Sequence, residues 1–103
     1  MYDVIKTKTV KEEIDNIVDY IVSEFSNVEA AIDFLLAIDD ALDMLARYPR
    51  SGKKHEPKTK LDRAYRIKLV KNCKLFYTID DDKKEIYIAH IFHDLQNFEN
   101  MLQ

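Results

Sequence analysis

Ala64-Tyr-Arg-Ile-Lys-Leu-Val70, Cys73-Lys-Leu-Phe-Tyr-Thr-Ile-Asp80 and Glu85-Ile-Tyr-Ile-Ala-His-Ile-Phe92 follow one another, with only Lys71-Asn72 and a short run beginning Asp81-Asp82-Lys83 between them. Each run is rich in Ile, Val, Tyr and Phe and alternates with a period of two, the pattern of a strand whose successive side chains face opposite sides of a sheet. Connections this short join antiparallel neighbours, because a parallel crossover needs a dozen residues or more. Residues 64–92 therefore predict a three-stranded meander. In its middle strand, alternation places Lys74, Phe76 and Thr78 on one face and Leu75, Tyr77 and Ile79 on the other. The second set is the better core set, so Lys74 is expected to look outward. Unbroken alternation in the last strand groups His93 with Tyr87, Ala89 and Ile91, and His90 with Ile86, Ile88 and Phe92.

Upstream of the meander the period changes to that of a helix. Val10, Ile14, Ile17, Val18, Ile21 and Phe25 form one apolar stripe, preceded by Thr9-Val-Lys-Glu12, which matches a capping box. Ser26-Asn-Val-Glu29 is a second such box. The stripe after it is Ala30, Ala31, Phe34, Leu35, Ile38, Leu42 and Leu45, with Glu29, Asp33, Asp39, Asp40 and Asp43 on the exposed side. Tyr48-Pro49 ends this helix, since the residue before proline is steered out of the helical region. Two helices joined this tightly predict an antiparallel hairpin. Residues 2–7 alternate and predict a short first strand. Residues 50–62 are polar, carry Gly52 and Pro57, and read as a loop. Leu95, Phe98 and Leu102 at helical spacing predict a short last helix. The hairpin must bury its stripes, and one face of the sheet is the available partner. The fold class is α+β: an N-terminal strand, a helical hairpin on an antiparallel meander, and a short C-terminal helix.

The 103 residues make one domain, 1–103, and 47% apolar residues suffice for a core without disulfides. The single cysteine, Cys73, excludes an internal disulfide and cysteine zinc sites, and it fits a reducing cytoplasm. No metal site and no cofactor are expected. One glycine excludes Gly-rich phosphate loops. Neither a signal peptide nor an apolar run long enough for a membrane span is present, so no membrane partner is expected.

Charge is strongly segregated. Residues 47–74 hold 11 of the 16 basic residues and only two of the 19 acids, Glu56 and Asp62, and so carry +9; the remainder carries −12, giving −3 overall. A cluster of this density can neutralise phosphates and release counterions. The same run is also what a solvated loop and an exposed strand look like. The candidates for RNA or phosphate binding are Lys53, Lys54, Lys58, Lys60 and Arg63.

Several segments, in order, carry a resemblance: Phe25-Ser-Asn-Val-Glu-Ala-Ala31, Leu45-Ala-Arg-Tyr-Pro-Arg-Ser-Gly52, Ala64-Tyr-Arg-Ile-Lys-Leu-Val-Lys-Asn72, Leu75-Phe-Tyr77 and Ile91-Phe-His93. Together they resemble the RelE/ParE toxin superfamily over essentially the whole chain. The resemblance implies a cytoplasmic toxin of a type II toxin–antitoxin pair with a RelE-like, microbial-RNase-like fold. Two activities are known in that superfamily. RelE- and YoeB-like members cut messenger RNA on the ribosome without metal, whereas ParE-like members inhibit DNA gyrase by binding. The hairpin with its Ala30-Ala31 start looks ParE-like or plasmid-stabilisation-like. Gly52-Lys-Lys-His-Glu56-Pro57-Lys58 resembles the glutamate loop of YoeB-like nucleases, and His93 falls at the position of their catalytic-site histidine. Lys74 stands where such nucleases carry arginine, Asp94 where they carry a catalytic tyrosine, and Leu95 and Gln96 where many relatives have arginine.

Metal-free RNA cleavage needs a base for the 2′-hydroxyl, cations for the growing phosphorane charge and an acid for the leaving 5′-oxygen. Glu56, Lys74 or Arg66, and His93 are the candidates, in that order. Tyr65, Phe76, Tyr77 and Tyr87 could stack bases, although Tyr77 and Tyr87 suit core packing better. Each candidate also has a plainer role: Glu56 as a solvated loop acid, Arg66 as an ion-pair partner, His93 as a strand-end histidine and Lys74 as a solvent-facing strand lysine. The expected reading is a ribosome-dependent messenger RNA endonuclease; the alternative is a gyrase-binding toxin that is no nuclease. Under either reading the partner that silences it is a cognate antitoxin, acidic and helix-rich, folding onto the basic face.

Overall fold

A computed structural model gives the structure of the protein and describes residues 1–55 and 64–93. Glu56, Lys58, Lys60, Arg63, Asp94 and the expected last helix lie outside these residues. The elements are β1 (Asp3–Lys6), α1 (Lys8–Phe25), α2 (Val28–Arg47), β2 (Lys53–Lys54), β3 (Arg66–Val70), β4 (Cys73–Asp80) and β5 (Glu85–His93). The predicted meander is β3-β4-β5, antiparallel throughout. It is extended on both sides into a five-stranded sheet of order β1-β5-β4-β3-β2. β1 pairs parallel with β5, so the sheet is mixed. Lys53–Lys54, expected within a loop, pairs with Ile67 and Arg66 instead. Two residues are too few for alternation to register, so periodicity could not reveal this strand.

Both helix starts differ from the expected capping boxes. Thr7 caps α1: its Oγ1 accepts from Val10 N (3.2 Å) and donates to Ile88 O (2.8 Å). One hydroxyl thus closes the helix and ties the end of β1 to β5, which moves the start ahead of Thr9. Ser26 ends α1 in the left-handed region (φ 48), and Asn27 caps α2 by accepting from Ala30 N at 3.0 Å. With one glycine in the chain, the tight turns fall on non-glycine residues in this region, Ser26, Lys71 and Lys84.

Both helices lie on one face of the sheet. Val10, Ile14, Ile17 and Ile21 of α1 and Ala31, Phe34, Ile38, Ala41 and Leu45 of α2 are buried against Val70, Cys73, Leu75, Tyr77, Ile86, Ile88 and Ile91. The expected α2 stripe needs two corrections. Leu35 is exposed and Ala41 is buried in its place, while Leu42 is only partly buried beside the core. The buried arc is centred on Phe34, Ile38, Ala41 and Leu45, and Leu35 lies outside it.

Candidate functional site

The core set of β4 falls as alternation predicts: Leu75 and Tyr77 are fully buried and Lys74 is exposed. On β5 the alternation breaks. Phe76 pairs with His90 but Tyr77 with Ile88, so Ala89 is an extra residue, a β-bulge. Beyond it every side chain changes face. Ile91 is buried with Ile86 and Ile88, while Phe92 is exposed opposite Lys74. His90 keeps Phe92 and His93 keeps Ile91 as expected, but His93 now shares its face with Ile86 and Ile88 and His90 with Tyr87. His93 pairs with buried Cys73, and its ring meets Tyr20 of α1 edge-on at 5.9 Å, on the helix side. His90 joins the outer face beside Phe92, stacked at 5.4 Å.

The outer face carries a sheet of rings. Phe76 meets His55 (5.6 Å), Tyr65 (5.9 Å) and Phe92 (5.4 Å), and Tyr65 also approaches His90 (6.4 Å). Edge-to-face contacts of this kind match the ring quadrupoles. Leu69, Lys74 and Phe92 form one row across three strands, and Leu69 is 70% and Phe92 52% exposed. Tyr65 and Phe76 lie on this face, half-buried. Tyr77 is the core residue it was expected to be. Tyr87 departs from that expectation: it sits opposite Thr78, half-buried, and donates to Glu85 at 2.8 Å, which raises its pKa.

Among the described candidates, Lys74 and His93 line one cleft of about 450 Å³ with Leu69, Lys71, Asn72, Cys73 and Phe92, whereas Arg66 lies elsewhere. Lys74 leaves the outer face and His93 the helix-facing side, although they are near neighbours on adjoining strands. Arg66 shares the row of Tyr77, and its guanidinium is taken up by carbonyls. Nε donates to Gly52 O at 3.1 Å, and one terminal nitrogen donates to Gly52 O at 2.9 Å and to Arg50 O at 3.2 Å. Tyr77 completes the arrangement: its hydroxyl donates to Pro49 O (2.7 Å) and accepts from Gly52 N (3.0 Å). A Cβ on Gly52 would lie 2.6 Å from that hydroxyl and 2.7 Å from Ile67 O, so only glycine lets the chain pass this close. The loop leaving α2 is thus clamped to β3 and β4, and the clamp starts β2 with its exposed Lys53 and Lys54.

Beside the clamp is a cleft of about 500 Å³ lined by Arg50, Lys54, His55, Tyr65, Arg66 and Asp81, among others. Arg50 pairs with Asp81 at 2.6 Å, and Tyr2 donates to the same carboxylate at 2.7 Å. The bond from Tyr2, then that from Arg50, lowers the Asp81 pKa; Tyr2 and Arg50 are raised in turn, each chiefly by its bond to Asp81. Cys73, buried under the helices, has its thiol pushed up to about 12 by desolvation, so it is no nucleophile at neutral pH. At the opposite end of the sheet, Glu13 of α1 covers the stretch of β5 that β1 leaves unpaired. It accepts from Ile91 N at 3.1 Å and lies 3.3 Å from His90 Nδ1. Sequence reasoning missed both Glu13 and the bulge. A helix carboxylate reaching a strand edge leaves no periodic trace; only the misfit of Ile88 and Ile91, two core residues three apart on one strand, hints at the bulge. Among the described residues no cluster of three or more potential metal ligands occurs, and no helix is long and apolar enough to cross a membrane.

Comparison with known proteins places this architecture. The family described as the ParE toxin of the type II toxin–antitoxin system, parDE, matches residues 4–98. Among solved structures, the chromosomal ParDE system from P. aeruginosa is similar with a TM-score of 0.69 at 18% identity, over 90% of this chain and 96% of that one. The RelBE2 toxin–antitoxin complex from Mycobacterium tuberculosis is similar with a TM-score of 0.60 at 18% identity, over 90% and 98%. At such identities the likeness is one of fold. No curated protein matches the chain.

Proposed function

Because this chain belongs to the ParE toxin family of type II toxin–antitoxin systems, we propose that it arrests growth by binding a protein target, DNA gyrase, rather than by cutting RNA. The observation that carries this reading is the match of residues 4–98 to the ParE toxin family, and the engagement of Arg66 supports it. In-line cleavage requires the cation and the proton-transfer group to reach one phosphate together, within hydrogen-bonding distance of its oxygens. The Arg66 guanidinium is held by Gly52 and Arg50 carbonyls, which leaves Lys74, a point charge, as the cation beside His93. What remains exposed is a surface suited to binding, with Leu69, Phe92 and the Phe76 ring cluster among Lys53, Lys71 and Lys74. A cognate antitoxin for this surface is an acidic amphipathic segment that folds as it docks, burying the rings and meeting the lysines. The test is supercoiling of relaxed plasmid by purified gyrase with the chain added. Loss of supercoiling is expected; unimpaired supercoiling at a large molar excess overturns the reading.

The messenger RNA endonuclease is the second reading, favoured by two features: Lys74 and His93 line one cleft, and Arg50, Lys54, His55 and Tyr65 line another that combines cations with rings that can stack a base. If it holds, Lys74→Ala and His93→Ala each lower cleavage by roughly a hundredfold or more, and Lys74→Arg keeps it. Intact messages at toxic doses exclude it.

A further inference from the structure

Among the described residues, one helix face has no partner in the core. Along α2, Val28 (59%), Ile32 (51%), Leu35 and Leu36 (57%) are exposed on the side away from the sheet. Asp39, Asp40 and Asp43 continue that side toward the C-terminus, and Arg47 is the only basic residue of the helix. The surface is therefore apolar at one end and acidic at the other. Exposed aliphatic residues grouped on one helix face mark an interaction site more often than scattered ones do. The outer face of the sheet has the complementary composition, with Leu69 and Phe92 exposed beside Lys71 and Lys74.

We propose that the outward face of α2 docks on the outer sheet face of a second copy of this chain, head to tail. The inference holds whether the toxin's target is gyrase or RNA. Charge selects the occupant. A symmetric pairing of α2 with α2 would set Asp39, Asp40 and Asp43 against their own kind if parallel, or against Leu36, Leu35 and Ile32 if antiparallel, and no cation meets them either way, whereas Lys71 and Lys74 of a second copy neutralise them. The apolar halves then meet as well: Val28, Ile32 and Leu36 cover Leu69 and Phe92. Geometry fits, since a helix of 20 residues is about 30 Å long and can lie across a sheet whose five strands span roughly 20 Å. One helix face buries no more than the ~800 Å² per partner of a standard stable interface, so the association is weak. A head-to-tail contact does not close on itself at two copies and leaves one face of each kind open at the ends. The basic apolar surface is in this way covered by the chain's own acidic helix when no antitoxin is present.

Sedimentation equilibrium of the full chain over loadings from about 1 µM to about 1 mM reads this directly. The average mass is expected to rise with concentration past that of two chains, and to fall back toward one when salt rises from about 0.1 M to about 1 M, where the screening length shrinks from ~10 Å to ~3 Å. Two charge-reversed proteins supply the decisive arm: D39K/D43K, and K71E/K74E. Each alone sets like charges at both sides of the contact and should stay monomeric, with an unchanged thermal melt. Mixed in equal amounts they restore opposite charges at every contact, and association should return. A wild type that stays monomeric throughout overturns the proposal. So does association that survives K71E/K74E, which would mean that α2 pairs with α2, or a mixture that fails to associate.

Discussion

Replacing Tyr77 with Phe removes one oxygen and leaves the ring, so it isolates what the clamp contributes. The hydroxyl belongs to a fully buried residue, donates to Pro49 O at 2.7 Å and accepts from Gly52 N at 3.0 Å. Each bond is worth about 0.5–1.5 kcal/mol net, but a buried group left without a partner costs more, about 1–3 kcal/mol. Gly52 is buried, and its N–H gains no other acceptor when the hydroxyl goes. The Arg66 guanidinium still holds the Gly52 carbonyl, so the loop stays near β3 and the N–H cannot swing freely to water. The sum is roughly 2–4 kcal/mol, a large share of the ~5–15 kcal/mol total of a small domain. At about 4–8 °C per kcal/mol for a chain of this size, the melting midpoint should fall by at least ~8 °C. Thermal unfolding followed by circular dichroism measures it, and a urea titration with an unchanged slope assigns the loss to the folded state. A midpoint within ~2 °C of wild type would refute the clamp. Gly52→Ala is the companion test: the added methyl meets Ile67 O, a backbone atom that cannot turn aside, so the loss should be as large or larger.

Glu13→Ala should strip Ile91 N of its acceptor, cost about 1–2 kcal/mol, and speed amide exchange at Ile91 ahead of its neighbours in hydrogen-exchange NMR. Phe34→Ala, in the core, should cost about 3–5 kcal/mol by denaturant titration, whereas Leu36→Ala on the exposed side should cost well under ~1 kcal/mol. The Cys73 thiol, raised to about 12, should resist iodoacetamide in the folded protein and react once unfolded; because the folded pKa lies above the ordinary 9.0, this group's stabilisation is complete below that value and is lost as pH rises from 9.0 toward 12. The Asp81 carboxyl should titrate below 3.8 by NMR, and Tyr2→Phe should move it back up. Lys53→Ser with Lys54→Ser should leave the melt unchanged, because both side chains are exposed.

Strands β3 to β5 and both helices were legible because their residues repeat a period over five or more positions, long enough for burial on one face to leave a pattern. Lys74's outward placement followed from the same alternation. The first cap depends on place more than on letters: Thr9-Val-Lys-Glu12 has the letters of a capping box, but Thr7, two residues earlier, stands where the chain leaves β1 and bonds Ile88 as well as Val10. The facing of side chains on β5 turns on Ala89. A single extra residue inverts the parity of everything after it, and so it turned His93 toward the helices and His90 toward solvent. Arg66 reads in the sequence as a cation for the phosphorane charge or as an ion-pair partner. Its service to Gly52 depends on a contact between segments 14 residues apart, which composition cannot express.

The central claim, that this toxin acts without cutting RNA, is tested most directly by mapping the 5′ ends of messenger RNA in cells expressing the chain, beside the same cells expressing His93→Ala. The account predicts growth arrest with both proteins, unbroken messages in both, and gyrase-dependent DNA breaks in their place. New 5′ ends within coding regions that vanish with His93→Ala would contradict it.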